Sequence, residues 1–235
     1  MQISDFYIRQ VAFEVRFEPA YRLWDVSGVL FEQMNRIWPN TGDGKIEPSH
    51  LQLKSDTVDL NLTLRSCSVR IAKPKSVVQF ADQIAATLET LFLHLDVKSL
   101  GRVGTRTIFA KSYPTAQAAI AATVALGLVR PPPAPIFNHK IGLAEAQARM
   151  VWRDDSMQTQ VLVKAESQAF EVSGFDEFKD VPRKSESHLL ILDIDRGTIG
   201  DVERSRFRAS DWLHGVQHLL NRDINRLLSP NDRQE

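Results

Sequence analysis

From residue 11 to residue 18 the side chains alternate without a break. Val11, Phe13, Val15 and Phe17 are interleaved with Ala12, Glu14, Arg16 and Glu18. A period of two is that of a strand, and one apolar face against one polar face calls for a sheet covered on one side. Pro19 ends the run. Val58, Leu60, Leu62 and Leu64 repeat the pattern against Asp59, Asn61, Thr63 and Arg65. Then the parity changes, and Cys67, Val69 and Ile71 become the apolar set, which predicts a bulge or a tight turn near Ser66. Leu51 and Leu53 open another strand, "RVGTRTIFA" (102–110) reads as one more, and the glycine-punctuated stretch 40–48 reads as a loop.

Other stretches follow the helical period. Leu23, Val26, Leu30, Met34 and Ile37 stripe a helix over 22–37, and Phe80, Ile84, Leu88, Leu91 and Leu95 stripe one over 76–95. An alanine-rich helix is expected over 115–127. The last helix, over 210–228, buries Leu213, Val216, Leu220 and Leu227, with Ser210 as N-cap and Asp211 in its first turn.

"RPPPAP" (130–135) cannot sit in a helix or a central strand, and it favours an extended polyproline segment. It divides the chain into an N-terminal half (1–129) and a C-terminal half (136–235), alike in their order of elements, although one compact unit is equally compatible. The second half offers strands over 139–152 and 157–166 joined by a turn at "RDDS" (153–156). A polar loop with Phe175 and Phe178 follows (173–187), then a strand over 188–195 and a turn at Arg196-Gly197. Together these elements predict an α+β fold, an antiparallel sheet covered by amphipathic helices.

Composition narrows the function classes. Lys+Arg and Asp+Glu number 29 each, so the chain lacks the overall basic excess of a typical nucleic-acid binder, while a local patch stays open. One cysteine, Cys67, excludes an internal disulfide and a multi-cysteine zinc site; it is expected in the core. The charged N-terminus does not resemble a signal peptide. The longest apolar run, "AAIAATVALGLV" (118–129), is shorter than the ~20 residues a membrane helix needs. The expectation is a cytoplasmic protein with no membrane partner and no cofactor.

"FEVRFEP", "RVGTRTI", and "LLILDID" followed by "WLHGVQHLLNRDINRLL" recur in that order along the chain. This arrangement resembles a sporadically distributed family of uncharacterised bacterial proteins, and the resemblance spans nearly the whole length. After "RVG" this chain carries Thr105 and Thr107 where the family is rich in aromatics. The resemblance brings no catalytic residues to carry over. It implies an accessory role, in mobile-element or phage-defence neighbourhoods.

Three constellations could carry chemistry. Asp193 and Asp195 in "LLILDID" share one strand face at a backbone spacing of ~6.8 Å, too far to share a proton but open to Mg²⁺. The competing reading makes them the wet side of a strand whose other face, Leu190, Leu192 and Ile194, is core. His214 and His218 have metal-pair spacing, but "HGVQH" lacks a metalloprotease glutamate and needs a third ligand such as His188 or Asp193. Arg102 and Arg106 flank Gly104, where a phosphate or carboxylate could reach the backbone. Lys140, Arg149 and Arg153 extend the patch if the strands pair, and pairing with Glu14 or Glu18 is the competing reading. No phosphate loop or nucleophile elbow is present. The leading expectation is a non-enzymatic binding protein that docks to a protein partner or to itself. A nucleic-acid or nucleotide binder using the arginine face comes second, and a metal-dependent hydrolase third.

Overall fold

The computed structural model describes residues 1–39, 41, 43–131, 143–172 and 183–229. The elements run β1 (Tyr7–Phe17), α1 (Leu23–Ile37), β2 (Asp43–Glu47), β3 (His50–Lys54), β4 (Val58–Thr63), β5 (Ser66–Ala72), α2 (Ala81–Leu95) and β6 (Ser99–Tyr113). They continue with α3 (Ala116–Ala125), β7 (Gln147–Arg153), β8 (Met157–Val172), β9 (Arg183–Thr198), β10 (Val202–Glu203) and α4 (Ala209–Leu228). All strand pairs among the described residues are antiparallel, in the order β2-β3-β4-β5-β1-β6-β9-β8-β7, with β10 on the end of β6. The α+β expectation therefore holds. Strands from both sides of the proline-rich stretch share this one sheet, and β6 pairs with β9 from Gly104↔Gly197 to Tyr113↔His188.

One face of the sheet is covered. Val11, Phe13, Val15, Val69, Val103, Phe109, Leu192 and Ile194 are buried there, against Leu30 and Met34 of α1, Ile84 and Leu91 of α2, and Leu213, Val216 and Leu220 of α4. The period-two alternation put these residues on one side, and the helical stripes supply the cover. Trp212 of α4 donates its indole N–H to Thr105 on β6 at 2.8 Å. An aromatic thus does reach this strand, supplied by the helix instead of by residues 105 and 107. Thr107 Oγ1 is buried beside it without a hydrogen-bond partner among the described residues; nothing in the structure explains why a hydroxyl stands there.

Several boundaries differ from the sequence expectation for identifiable reasons. Residues 43–47, read as loop, form β2 on β3, because Gly44 is there for packing and not for a turn. A Cβ at Gly44 would come within 2.5 Å of the Phe31 ring of α1. The parity change near Ser66 is a tight turn: Leu62 faces Cys67 across the β4–β5 hairpin. Helix α2 begins at Ala81 instead of 76, and before it the Val77 N–H is held by Gln217 of α4 at 2.9 Å. Ser210 is not the cap of α4, which starts at Ala209 without a side-chain cap. Arg196-Gly197 is not a turn, since β9 runs on to Thr198 and the chain turns at Gly200, whose φ is +78°. The "RDDS" turn is present, built on Asp154, whose carboxylate accepts the N–H groups of Ser156 and Met157; these hydrogen bonds hold its pKa below the usual carboxylate range. Expected features at 132–142 and 173–182, including Phe175 and Phe178, lie outside the described residues.

Candidate functional site

The opposite face of the central strands is polar around Arg102, Arg106, Asp193 and Asp195, and farther along the same face Ile108, Ala110, Leu189 and Ile191 form a small apolar cluster. Its rows follow from the register. Arg70, Ala12, Arg106 and Asp195 stand side by side across β5, β1, β6 and β9, and Ser68, Glu14, Gly104 and Gly197 form the next row. A depression of about 520 Å³ lies here, with Ala12 and Gly104 among its lining and Arg16, Arg70, Arg102 and Arg106 around them.

The two glycines explain the geometry of Arg102. Gly104 and Gly197 are partners across β6 and β9. A Cβ on Gly197 would sit 3.0 Å from Arg102 Nε and 3.2 Å from the Val103 carbonyl, and one on Gly104 would sit 3.3 Å from the guanidinium. The bare pair lets Arg102 lie across the sheet. From there its Nη2 donates to both oxygens of Asp195, at 3.0 and 3.1 Å, while Nη1 is 3.6 Å from Glu14. The space above Gly104, expected to admit an anion, is thus taken by Arg102 itself. Glu14 also accepts from Arg16 Nε.

Arg106 uses Nε, at 2.8 Å, and Nη2 to grip the two oxygens of Asp193. This two-pronged, charge-assisted contact raises the pKa of the guanidinium above its ordinary value, ahead of the opposing effect of burial. Asp193 is only 12% exposed and Asp195 36%. Each carboxylate is therefore occupied by an arginine, a different arrangement from two aspartates standing in water or waiting for a metal. Among the described residues no group of three or more His, Cys, Asp and Glu side chains is placed to hold an ion. Sequence reasoning had both halves of these ion pairs but assigned them to separate sites; the missing link was the β6–β9 register.

The remaining candidates do not converge. Arg149 and Arg153 sit on β7, beyond β9 and β8, where they donate to Gln160 and Gln158. Asp193 and Asp195 interrupt the positive stripe between them and Arg106. Lys140 lies outside the described residues. His214 and His218 are exposed on α4, and His188, on the covered side of β9, faces Ser167 Oγ at 2.9 Å from its Nδ1. Cys67 is buried, and burial pushes its thiol up to about 12, which makes it an inert core residue.

Two features escaped the sequence. Arg9, the extra residue at a register shift between Ile8 and Gln10, reaches from β1 to Glu166 (3.1 Å) and Gln168 (3.3 Å) on β8. Burial pushes Glu166 upward, but Lys164 and Arg9 together bring its pKa below the usual carboxylate value. The second is an apolar depression of about 590 Å³ on the covered side, where Trp152 and Val161 meet Leu219, Leu220 and Ile224 of α4. No described helix is long and apolar enough to cross a membrane. Neither a protein-family model nor a curated protein matches the chain.

Proposed function

We propose that this is a non-enzymatic binding protein that presents the polar face of its sheet to a protein partner. One observation carries the reading: the arginines and carboxylates of that face are locked to one another in fixed positions, Arg102 on Asp195 and Glu14, and Arg106 on Asp193. Both aspartates are committed, which argues against a metal-dependent hydrolase. The interleaved acids argue against a nucleic-acid track, because phosphates along a strand would meet Glu14, Asp193 and Asp195 as well as the arginines. Phe13, the one aromatic residue in the lining, is buried on the covered face and offers no ring to stack a base. An ordered mosaic of both signs is instead what gives a protein interface its register and selectivity.

The test is capture of the native partner by affinity purification and its identification with the parent protein. Arg106→Glu should weaken that complex at least tenfold, whereas Arg206→Glu, at an 83%-exposed side chain near α4, should leave it intact. Nuclease treatment should not release the partner. Equal retention by both variants would reject this face as the docking surface.

A further inference from the structure

The arginines of the polar face are not equally engaged. Arg102 donates to both oxygens of Asp195 through Nη2 and lies 3.6 Å from Glu14 through Nη1. Arg70 makes no hydrogen bond to a described residue and lies only within 3.8 Å of Asp59. Arg16 commits its Nε alone, and Arg106 keeps Nη1 uncommitted. The residues that carry these donors line one depression. Ala12 is the direct neighbour of Arg70 on one side and of Arg106 on the other, so two arginine backbones about 9.5 Å apart flank the smallest side chain of their row. All four arginines line the same depression as Ala12.

We propose that the space above Ala12 is a seat for a single phosphate monoester, held between Arg70 and Arg106 with Arg16 closing one end. Four arginines stand against Glu14 and Asp195 in the lining, and Asp59 and Asp193 balance Arg70 and Arg106 from behind, so a dianion is attracted by uncommitted guanidinium N–H donors and not by a net charge. Those two carboxylates are turned into their own ion pairs, so their repulsion is already compensated. Asp193 and Asp59 stand behind the arms and steady them. Guanidinium forks grip tetrahedral oxyanions through paired N–H donors, and a seat bounded by acids admits one such group while disfavouring a chain of them. The group arrives either on a small molecule or on a phosphorylated side chain of the protein partner. The inference deepens the binding reading and rests on the same face.

Isothermal titration with adenosine monophosphate, a phosphoserine peptide, the same peptide unphosphorylated, and sodium acetate tests it. One phosphate monoester should bind per chain, with the unphosphorylated peptide and acetate at least tenfold weaker. Arg70→Gln should weaken binding about tenfold or more, as expected for loss of a charged hydrogen-bond donor pair. Ala12→Leu, which fills the seat from a half-buried position on the sheet, should abolish it in a protein that still melts cooperatively. Arg149→Gln, on the same face but on β7, should change nothing. Tighter binding of the phosphopeptide assigns the group to a partner, and tighter binding of the nucleotide assigns it to a small molecule; both support the seat. Equal weakening by Arg149→Gln and Arg70→Gln would reduce it to diffuse charge and overturn it, as would absence of binding at millimolar ligand. If no phosphate monoester binds but Arg106→Glu still releases the partner, the seat fails and the docking face stands. If phosphate binds but the partner ignores this face, only the docking reading fails.

Discussion

The same strands carry two different kinds of order on their two faces. On the covered side of β1, β6 and β9, Phe13, Val103, Leu192 and Ile194 are held by contact with the helices. On the other side Glu14, Arg102, Arg106, Asp193 and Asp195 are held by one another. Apolar packing is non-directional, so any residue of the right parity contributes to it. Ion pairing depends on distance and direction, so it depends on which residue of the next strand stands opposite. Stability should therefore reside mostly on the first face and specificity on the second.

Mutations can break that contrast, beginning with the largest effect. Leu213, fully buried on α4, should cost about 2–5 kcal/mol when replaced by alanine, read from chemical denaturation. A smaller loss, of the order of 1–3 kcal/mol, is expected for Gly197→Ala, because the new methyl presses on Arg102 and on the Val103 carbonyl. If Gly197→Ala is neutral, the glycine pair does not position Arg102. Next come the carboxylates. Asp193→Asn should cost roughly 1–2 kcal/mol and Asp195→Asn less than about 1 kcal/mol, because Asp193 is the more buried and Arg102 retains Glu14 when Asp195 is neutralised. Mg²⁺ or Mn²⁺ should not raise the melting temperature of the parent; a rise lost in the double asparagine variant would restore the metal reading. The smallest change runs the other way. Thr107→Val removes the unpaired buried hydroxyl and should stabilise by up to about 1 kcal/mol in the same denaturation assay. A destabilisation there would mean that the hydroxyl is bonded after all.

Much of the covered face was legible in advance, although Leu227, expected in the core, is only half-buried and Ile224 and Leu228 close the end of α4 in its place. Val11, Phe13, Val15, Cys67, Val69, Ile71, Leu213, Val216 and Leu220 were all placed in the core by their period alone, and all are buried. Boundaries failed where tertiary contact overrode local signals, as at Gly44 under Phe31 and Gly197 under Arg102. In both places a glycine marked close approach and was taken for punctuation. The polar face was legible only in pieces. Asp193, Asp195, Arg102 and Arg106 were each singled out, yet joining them requires knowing that β6 lies against β9, and that pairing spans the proline-rich stretch. Ala12 and Arg70 carried no motif and Arg16 stood within "FEVRFEP" without a role; only the Ala12–Arg70 row and the shared depression single them out.

The position of β1 sets the timetable of folding. It is made early yet lies in the middle of the sheet, between β5 and β6. α4 lies over its neighbour β6, where Trp212 reaches Thr105, and the backbone of Ile3, just before β1, is bonded to Asn225 at a separation of 222 residues. During translation β1 therefore has no lasting neighbour until β5 and β6 have been made, and the core stays open on one side until α4 has left the ribosome. Pairings so distant in sequence form slowly, and the greasy side of the waiting strands is exposed meanwhile. A nascent chain of this design would depend on chaperones more than a bundle of equal size, and truncation before residue 228 would leave the core open and the chain prone to aggregate.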